Sequence, residues 1–248
     1  MNTHWRKGTA CWRAGGTLYM SIVFSWDLPE ARRIAARHKG PVVVGGPAAA
    51  THRAAIDWAT VADDSPFDTL AAHNPFATFT TRGCVRRCEF CVVSRVEGEF
   101  RELGSWKPAP IVCDNNLTAA SRAHFERVIE SVRRFPYVDI NQGMDARLFT
   151  KWHAEQLQKL PGVKIRFALD SASVEGKVAD AIALCRGMGF HDFGRYVLVG
   201  FNDTPAEART ETSVTVGNCR CSVLRNEASN GICLRMWFSV IGLPVNRP

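Results

Sequence analysis

Apolar positions near the start of the chain predict a short strand–helix–strand unit. Residues 17–26 are apolar, aromatic and β-branched, which is typical of a buried strand. Residues 27–38 begin with helix-start signals, and residues 41–44 form a second, fully apolar strand that ends at Gly45 and Gly46. Because both strands are apolar throughout, the pattern predicts a βαβ unit with a parallel sheet and a tight glycine turn.

From residue 76 onward, predicted strands and helices alternate at intervals of roughly thirty residues. The helical segments carry apolar residues at helical spacing, as at Phe125, Val128, Ile129 and Val132. Five such units predict a parallel, barrel-like sheet with helices outside. Polar residues follow each strand at its carboxyl end, which is where active sites lie in such sheets. The predicted strands are residues 77–81, 111–113, 137–140, 164–169 and 195–199.

The pattern as a whole predicts an α/β fold with two regions. Residues 1–75 comprise the short Rossmann-like βαβ unit and a poorly patterned linker over residues 48–75. Residues 76–248 comprise a partial (β/α)6, TIM-like barrel. Its segment after about residue 210 is atypical, and residues 232–241 are expected to supply the sixth strand.

Composition narrows the class of protein without naming a substrate. The chain has 248 residues, 46% hydrophobic and 22% charged, and no apolar run approaches the roughly 20 residues of a membrane span. Nine cysteines in a core-rich chain do not suit a disulfide scaffold, which favours a reducing, cytoplasmic location. A net charge of +7 permits a nucleic-acid or phosphorylated substrate but does not establish one.

Three closely spaced cysteines carry the strongest chemical signal. Cys84, Cys88 and Cys91 have C-x3-C-x2-C spacing, and Phe90 directly precedes the third. Three thiolates on one loop can hold three corners of a cubane iron–sulfur cluster, and a closed cluster takes four ligands. The remaining iron therefore has no protein ligand, which is what a catalytic metal site requires.

Zinc binding and simple burial are the alternatives for these thiols. Zinc prefers paired C-x2-C knuckles, and only an unusual C-x-C pair further along the chain is available to complete four ligands. Buried structural thiols are not expected beside so many charged residues. Because thiolate ligation needs lowered cysteine pKa values, the neighbouring Arg82, Arg86 and Arg87 are expected to lower them.

The cysteine loop resembles the signature loop of the radical S-adenosylmethionine (radical SAM) enzymes, and residues 76–207 resemble their partial barrel. The resemblance implies a 4Fe-4S cluster whose open iron is chelated by the amino and carboxylate groups of SAM, with Phe90 beside the adenine. It implies reductive cleavage of SAM to a 5′-deoxyadenosyl radical, which abstracts hydrogen from an unidentified substrate. A flavodoxin- or ferredoxin-type protein would donate the electron.

The same resemblance extends to the first 75 residues and to the ends of the strands. The N-terminal unit resembles the cobalamin-binding domain of some radical SAM proteins but lacks its Asp-x-His-x-x-Gly signature, so a vestigial packing module is expected. Strand-end turns and helix caps remain alternatives for the implied SAM contacts. Those contacts are Asp114 and Asn115 at the amino end, Asp170 and Ser171 at the ribose or carboxylate, and Gly200 and Asn202 at the adenine.

Asp145 and Arg147, after the third strand, are the candidate catalytic pair. An acid and an arginine at a barrel mouth suit an anionic or hydrogen-bonding substrate, and a structural salt bridge is the alternative. Two other functions stay open. One is methylthio- or methyl transfer to tRNA or a nucleotide, which the basic charge allows, although the scarcity of N-terminal cysteines argues against a methylthiotransferase. The other is a non-catalytic iron–sulfur or zinc module that binds nucleic acid.

Overall fold

The computed structural model of the protein describes residues 5–62, 68–199 and 220–225. Its internal contacts divide the chain into two units, Met1–Pro75 and Phe76–Pro248. Gly200, Asn202 and the strand predicted at residues 232–241 lie outside the described residues. Over the ranges that the structure describes, every helix is too short or too polar to cross a lipid bilayer.

The first unit contains one four-stranded sheet with helices. The strands follow the order β1-β2-β3-β4, and β1 pairs antiparallel with β2, whereas the other pairs are parallel. The elements are β1 (Ala10–Ala14), β2 (Thr17–Ser21), α1 (Leu28–Ala36), β3 (Val42–Gly45), α2 (Pro47–Thr51), β4 (Thr60–Val61) and α3 (Thr69–His73).

The βαβ unit predicted from the apolar runs is present as β2, α1 and β3. Two details of the prediction were wrong. The first strand ends at Ser21 rather than at residue 26, because a 3-10 turn at Ser25–Asp27 starts the approach to α1. Residues 48–75, predicted to be a poorly patterned linker packed on the barrel, instead belong to the first unit and contain most of α2 and all of β4 and α3.

The second unit is built on a six-stranded sheet in which every neighbouring pair is parallel. Its strand order is β5-β8-β9-β10-β11-β12, and a separate antiparallel pair, β6-β7, flanks the cysteine loop. The chain is therefore an α/β protein. The strands are β5 (Ala77–Thr78), β6 (Thr81–Arg82), β7 (Arg101–Glu102), β8 (Ile111–Val112), β9 (Val138–Ile140), β10 (Val163–Leu169), β11 (Phe193–Val199) and β12 (Arg220–Arg225). The helices are α4 (Val93–Val96), α5 (Arg122–Val132), α6 (Lys151–Leu157) and α7 (Glu175–Gly187).

The two faces of this sheet have different neighbours, because side chains alternate along each strand. In β10, Ile165, Phe167 and Leu169 are buried in the main core together with apolar residues of α5, α6 and α7. On β11, Tyr196 and Leu198 instead pack against Phe90 of the cysteine loop. One face of the sheet is thus covered by helices, and the other supports the loop that carries the cysteines.

The helix α5 shows why the sequence pattern predicted this half well. Ser121 precedes it, and its hydroxyl oxygen accepts the backbone N–H of His124 at 3.2 Å, which satisfies one of the free donors at the helix start. The predicted apolar stripe is buried along its whole length. In contrast, β12 falls where no strand was predicted, and its backbone pairs in parallel with β11.

Candidate functional site

A buried glutamate holds the start of the cysteine loop in place. One Glu97 carboxylate oxygen accepts the backbone N–H of Gly83 and the side-chain amide of Asn115, each at 2.8 Å. The other oxygen lies 3.1 Å from the guanidinium of Arg82. The Glu97 side chain is only 2% exposed, so these partners compensate its desolvation.

Gly83 has a φ of 72°, a backbone conformation that favours glycine. A Cβ atom at this position would collide with the carbonyl oxygen of Glu99. Any other residue would therefore have to move the segment that follows the loop. The tight turn places Cys84 directly after β6.

The three thiols of the loop line one solvent-open cleft. The backbone N–H of Cys91 donates to the carbonyl of Cys88 at 3.0 Å, which closes a turn between these two cysteines. The Cys84 Sγ accepts the backbone N–H of Arg86 at 3.3 Å and the side-chain amide of Asn116 at 3.7 Å. Such donors favour a negatively charged sulfur.

Polar groups from the carboxyl ends of three successive strands form the opposite walls of the cleft. The structure therefore brings the cysteine loop and the expected strand-end groups together, as parallel topology requires. The strand-end residues that line the cleft are Asn115 and Asn116 after β8, Gln142, Gly143, Asp145 and Arg147 after β9, and Ala168 and Asp170 at the end of β10.

Phe90 forms an apolar wall beside the cysteines. It is 8% exposed and packs against Tyr196 and Leu198, with Cys88 and Cys91 against the same cluster. Phe90 is therefore a core aromatic under the loop that also lines the cleft.

Two of the expected cofactor contacts lie away from the cleft lining. The buried Asp114 carboxylate accepts the backbone N–H of Thr80 at 2.6 Å and of Thr81 at 2.9 Å, and also the Thr80 hydroxyl. It therefore fastens the end of β8 to the segment that leads into the cysteine loop. Ser171 is exposed and shares a hydrogen bond of 2.7 Å with the hydroxyl of Ser173.

The expected lowering of the cysteine pKa values by the loop arginines is wrong for two of the thiols. Burial raises the pKa of Cys88, and burial raises the pKa of Cys91 to about 12, with the neighbouring thiols adding to both effects. The three arginines are directed elsewhere: Arg82 pairs with Glu97, Arg86 with Asp145 and Arg87 with Glu99. A bound metal cation favours the thiolate form and opposes this rise.

Asp145 is the centre of a charged network in the cleft. Burial by itself raises the pKa of Asp145, but hydrogen bonds from Arg147 and Arg86 more than offset it and hold the pKa below its ordinary value. The Nη2 atom of Arg147 lies 4.0 Å from a carboxylate oxygen of Asp170. Burial raises the pKa of Asp170, and the Arg147 charge partly opposes that rise.

Among the described residues, the donor set in the cleft does not form a site for a single metal ion. Within the described parts of the chain, no three His, Cys, Asp or Glu side chains are arranged so that they could hold one ion. Ligands of a cubane cluster bind different iron atoms rather than one shared ion, and these three thiols line a common cavity. The N–H groups directed at Cys84 suit a thiolate ligand.

The roles of two residues that position the loop or line the cleft were missed by the sequence analysis. Glu97 has no motif around it, and its role depends on contacts 14 and 18 residues away along the chain. Arg86 was considered only as a neighbour of the thiols, and its partner Asp145 is 59 residues away.

Comparisons with known proteins add no assignment to this geometry. No protein-family model matches the chain, and a search of the curated proteins gives no match. The chemistry of the cleft therefore has to be argued from the cysteine spacing and from the residues that surround the thiols.

Proposed function

We propose that the protein is a radical SAM enzyme whose 4Fe-4S cluster is held by Cys84, Cys88 and Cys91. The observation that carries the proposal is that three thiols at C-x3-C-x2-C spacing share one open cleft with strand-end polar groups of a parallel sheet. A three-thiol set leaves one iron for a ligand that is not protein. We further propose that the six-stranded sheet is the partial barrel of such an enzyme.

When bound, the cluster would supply one electron for the reductive cleavage of SAM into methionine and a 5′-deoxyadenosyl radical. The protein's own contribution is to position the cluster and to shield it. Glu97 and Gly83 fix the loop, and Asn116 and the Arg86 backbone donate to the Cys84 sulfur. Phe90 supplies an apolar wall on which an adenine ring could stack.

The remaining cleft residues offer contacts for SAM and for a substrate. Asn115 and Gln142 provide amide groups, and Asp170 provides a carboxylate at the end of β10. We place the protein in a reducing compartment with a flavodoxin- or ferredoxin-type electron donor, because thiol ligands and an open cluster require both conditions.

The test is anaerobic reconstitution with iron and sulfide, followed by reduction with dithionite in the presence of SAM. We expect about four iron atoms per chain and formation of 5′-deoxyadenosine, measured by chromatography and mass spectrometry. Cys88→Ala should lower both iron content and product at least tenfold, because it removes one cluster ligand.

Cys185→Ala is the matched control, since Cys185 is a buried thiol of α7 in the helix-covered core. It should retain iron and product formation. A colourless protein that binds zinc and leaves SAM intact would contradict the proposal and favour the zinc-module alternative.

A further inference from the structure

One carboxylate in the cleft holds two arginines at once. The Asp145 Oδ2 atom accepts the Nε–H of Arg86 at 2.8 Å, and Oδ1 accepts the Nε–H of Arg147 at 2.6 Å. The Arg147 backbone N–H also donates to Oδ1 at 3.1 Å. Both carboxylate oxygens are thus occupied, and the two guanidinium groups are held by the same Asp145 carboxylate.

The arginines, rather than the carboxylate, face the opening of the cleft. The side chains of Arg86 and Arg147 are 36% and 34% exposed, whereas the Asp145 side chain is 6% exposed. Both arginines use Nε for Asp145, which leaves their terminal nitrogens for other partners. Within the described residues, the terminal nitrogens of Arg86 make no hydrogen bond, and the Nη2 atom of Arg147 has, besides Asp145, the Asp170 carboxylate at 4.0 Å.

Two guanidinium groups with available terminal N–H groups suit a planar or tetrahedral oxyanion. Guanidinium donors match carboxylate and phosphate oxygens in paired hydrogen bonds. The formal charges of Arg86, Arg147, Asp145 and Asp170 cancel, so attraction over long distances is weak. Recognition would therefore come from short hydrogen bonds inside the cleft.

We propose that Arg86 and Arg147 form a subsite for an oxyanion group, a carboxylate or a phosphate, and that Asp145 is the residue that positions both arginines. That this oxyanion belongs to the substrate of a radical reaction rests on the function proposed above. The subsite itself depends only on the geometry of these three side chains. Asp145, expected from the sequence to be catalytic, has a positioning role in this assignment.

The subsite can be tested by calorimetric titration of the full-length protein with inorganic phosphate and, separately, with succinate. The two probes show whether the site prefers a phosphate or a carboxylate. We expect saturable binding of at least one probe, weakened at least tenfold in Arg147→Gln and in Arg86→Gln. Arg133→Gln is the matched control, because Arg133 is an exposed arginine paired with Glu130 on the surface, and this variant should bind as the unaltered protein does.

Asp145→Asn separates positioning from simple charge. Removing a negative charge beside an anion site would strengthen anion binding if only electrostatics mattered. If Asp145 positions the arginines, the same change weakens binding, because the two arginines use different carboxylate oxygens and the amide NH2 that replaces one of them cannot accept a hydrogen bond. Circular dichroism and thermal melting identify a variant that has failed to fold, and Arg147→Gln then carries the test alone.

Several outcomes overturn the proposal. They are an unaltered protein that binds neither probe, an Asp145→Asn variant that folds and binds anions more tightly, and a bound probe that saturating SAM displaces, which would assign the arginines to the cofactor. The titration requires no cluster turnover. Anion binding without 5′-deoxyadenosine formation would therefore contradict the proposed function and leave the subsite supported. Formation of 5′-deoxyadenosine without anion binding would contradict the subsite and leave the proposed function supported.

Discussion

The two units of the chain use parallel strands in opposite ways. In the first unit, β3 runs into a glycine turn and then into α2, whose first residues Pro47, Ala48 and Ala49 are buried and apolar. In the second unit, β8 and β9 run into buried polar residues, among them Asn116 and Asn141. The carboxyl ends of parallel strands thus make a chemical site only where polar residues follow them.

The two units also differ in how many buried polar groups they must compensate. Buried polar groups lose their contacts with water and must find partners in the protein. The second unit provides them through long-range hydrogen bonds, such as those from Thr80 and Thr81 to Asp114. Few polar side chains of the first unit are buried, and one of them, His73, contacts the Ser21 hydroxyl at 3.0 Å.

The largest expected effect comes from a pair of glycine substitutions, one in each unit. Gly83 and Gly46 both have positive φ, and a Cβ at either would meet backbone atoms, of Glu99 and Ile22 respectively. We expect Gly83→Ala and Gly46→Ala each to lower the free energy of unfolding of their own unit by about 2–4 kcal/mol, measured by urea denaturation. Only Gly83→Ala should also lower iron binding after reconstitution.

Gly176→Ala is the control for this pair, because Gly176 lies in α7 with no atom within 4 Å of the added Cβ. It should leave stability unchanged or raise it by up to about 1 kcal/mol. Equal iron binding by Gly83→Ala and Gly46→Ala would contradict the expected difference between the two units.

The next effect concerns Asp114 in the second unit. Burial raises its pKa from the ordinary 3.8 to about 6, although hydrogen bonds from Thr80 and Thr81 oppose the rise. The folded state therefore holds the proton more tightly than the unfolded state. This stabilising contribution is complete below about pH 3.8 and is lost as the pH rises through about 6.

Asp114→Asn removes this titration and can keep an acceptor for the two backbone N–H groups. The stability of the unaltered protein relative to this variant should fall by about 2 kcal/mol between pH 4 and pH 7. The measurement is urea denaturation of both proteins across that pH range. A difference that does not change with pH would show that Asp114 titrates at its ordinary pKa.

The smallest effect is expected in the first unit and has the opposite sign. Burial, with the Arg6 charge as a smaller cause, lowers the pKa of His73 from 6.5 to about 4. The folded unit therefore resists protonation, and the stability contributed by neutral His73 is complete above about pH 6.5 and is lost as the pH falls toward 4. The unit should lose about 1 kcal/mol between pH 7 and pH 5.5.

Hydrogen exchange of backbone amides in β2 and β3 can measure this loss within the first unit. His73→Gln should remove most of the acid-dependent change, and His38→Gln, at a partly exposed position whose ring contacts the Gly16 carbonyl, should not. Acid sensitivity that persists in His73→Gln would assign it to another group.

Helical and βαβ patterns were predictable from the sequence because they depend on neighbours in the chain. The buried stripe of α5 and the β2–α1–β3 unit follow from residue spacing alone. By contrast, β1 was not predicted. Only its first residue, Ala10, is buried, and the other positions are partly or fully exposed, so no apolar run marks the strand.

Site residues divide in the same way. The cysteine spacing and the polar residues after the strands could be identified from the sequence, and the structure places most of these residues in one cleft. The sequence could not show that Asp114 is turned into the backbone of Thr80 and Thr81, nor that the loop arginines pair with acids rather than with thiols. Those outcomes depend on competition among partners that are distant along the chain.

By itself, the sequence determined the alternation of strands and helices, the tight cysteine loop and the end of the sheet at which polar groups collect. These features depend on periodicity and on the direction of parallel strands, which are local properties. Only the tertiary structure decided that Glu97 fixes the loop and that Asp145 holds Arg86 beside Arg147. A buried charge selects the partner that best offsets its desolvation, and which partners are within reach is known only when the chain is folded.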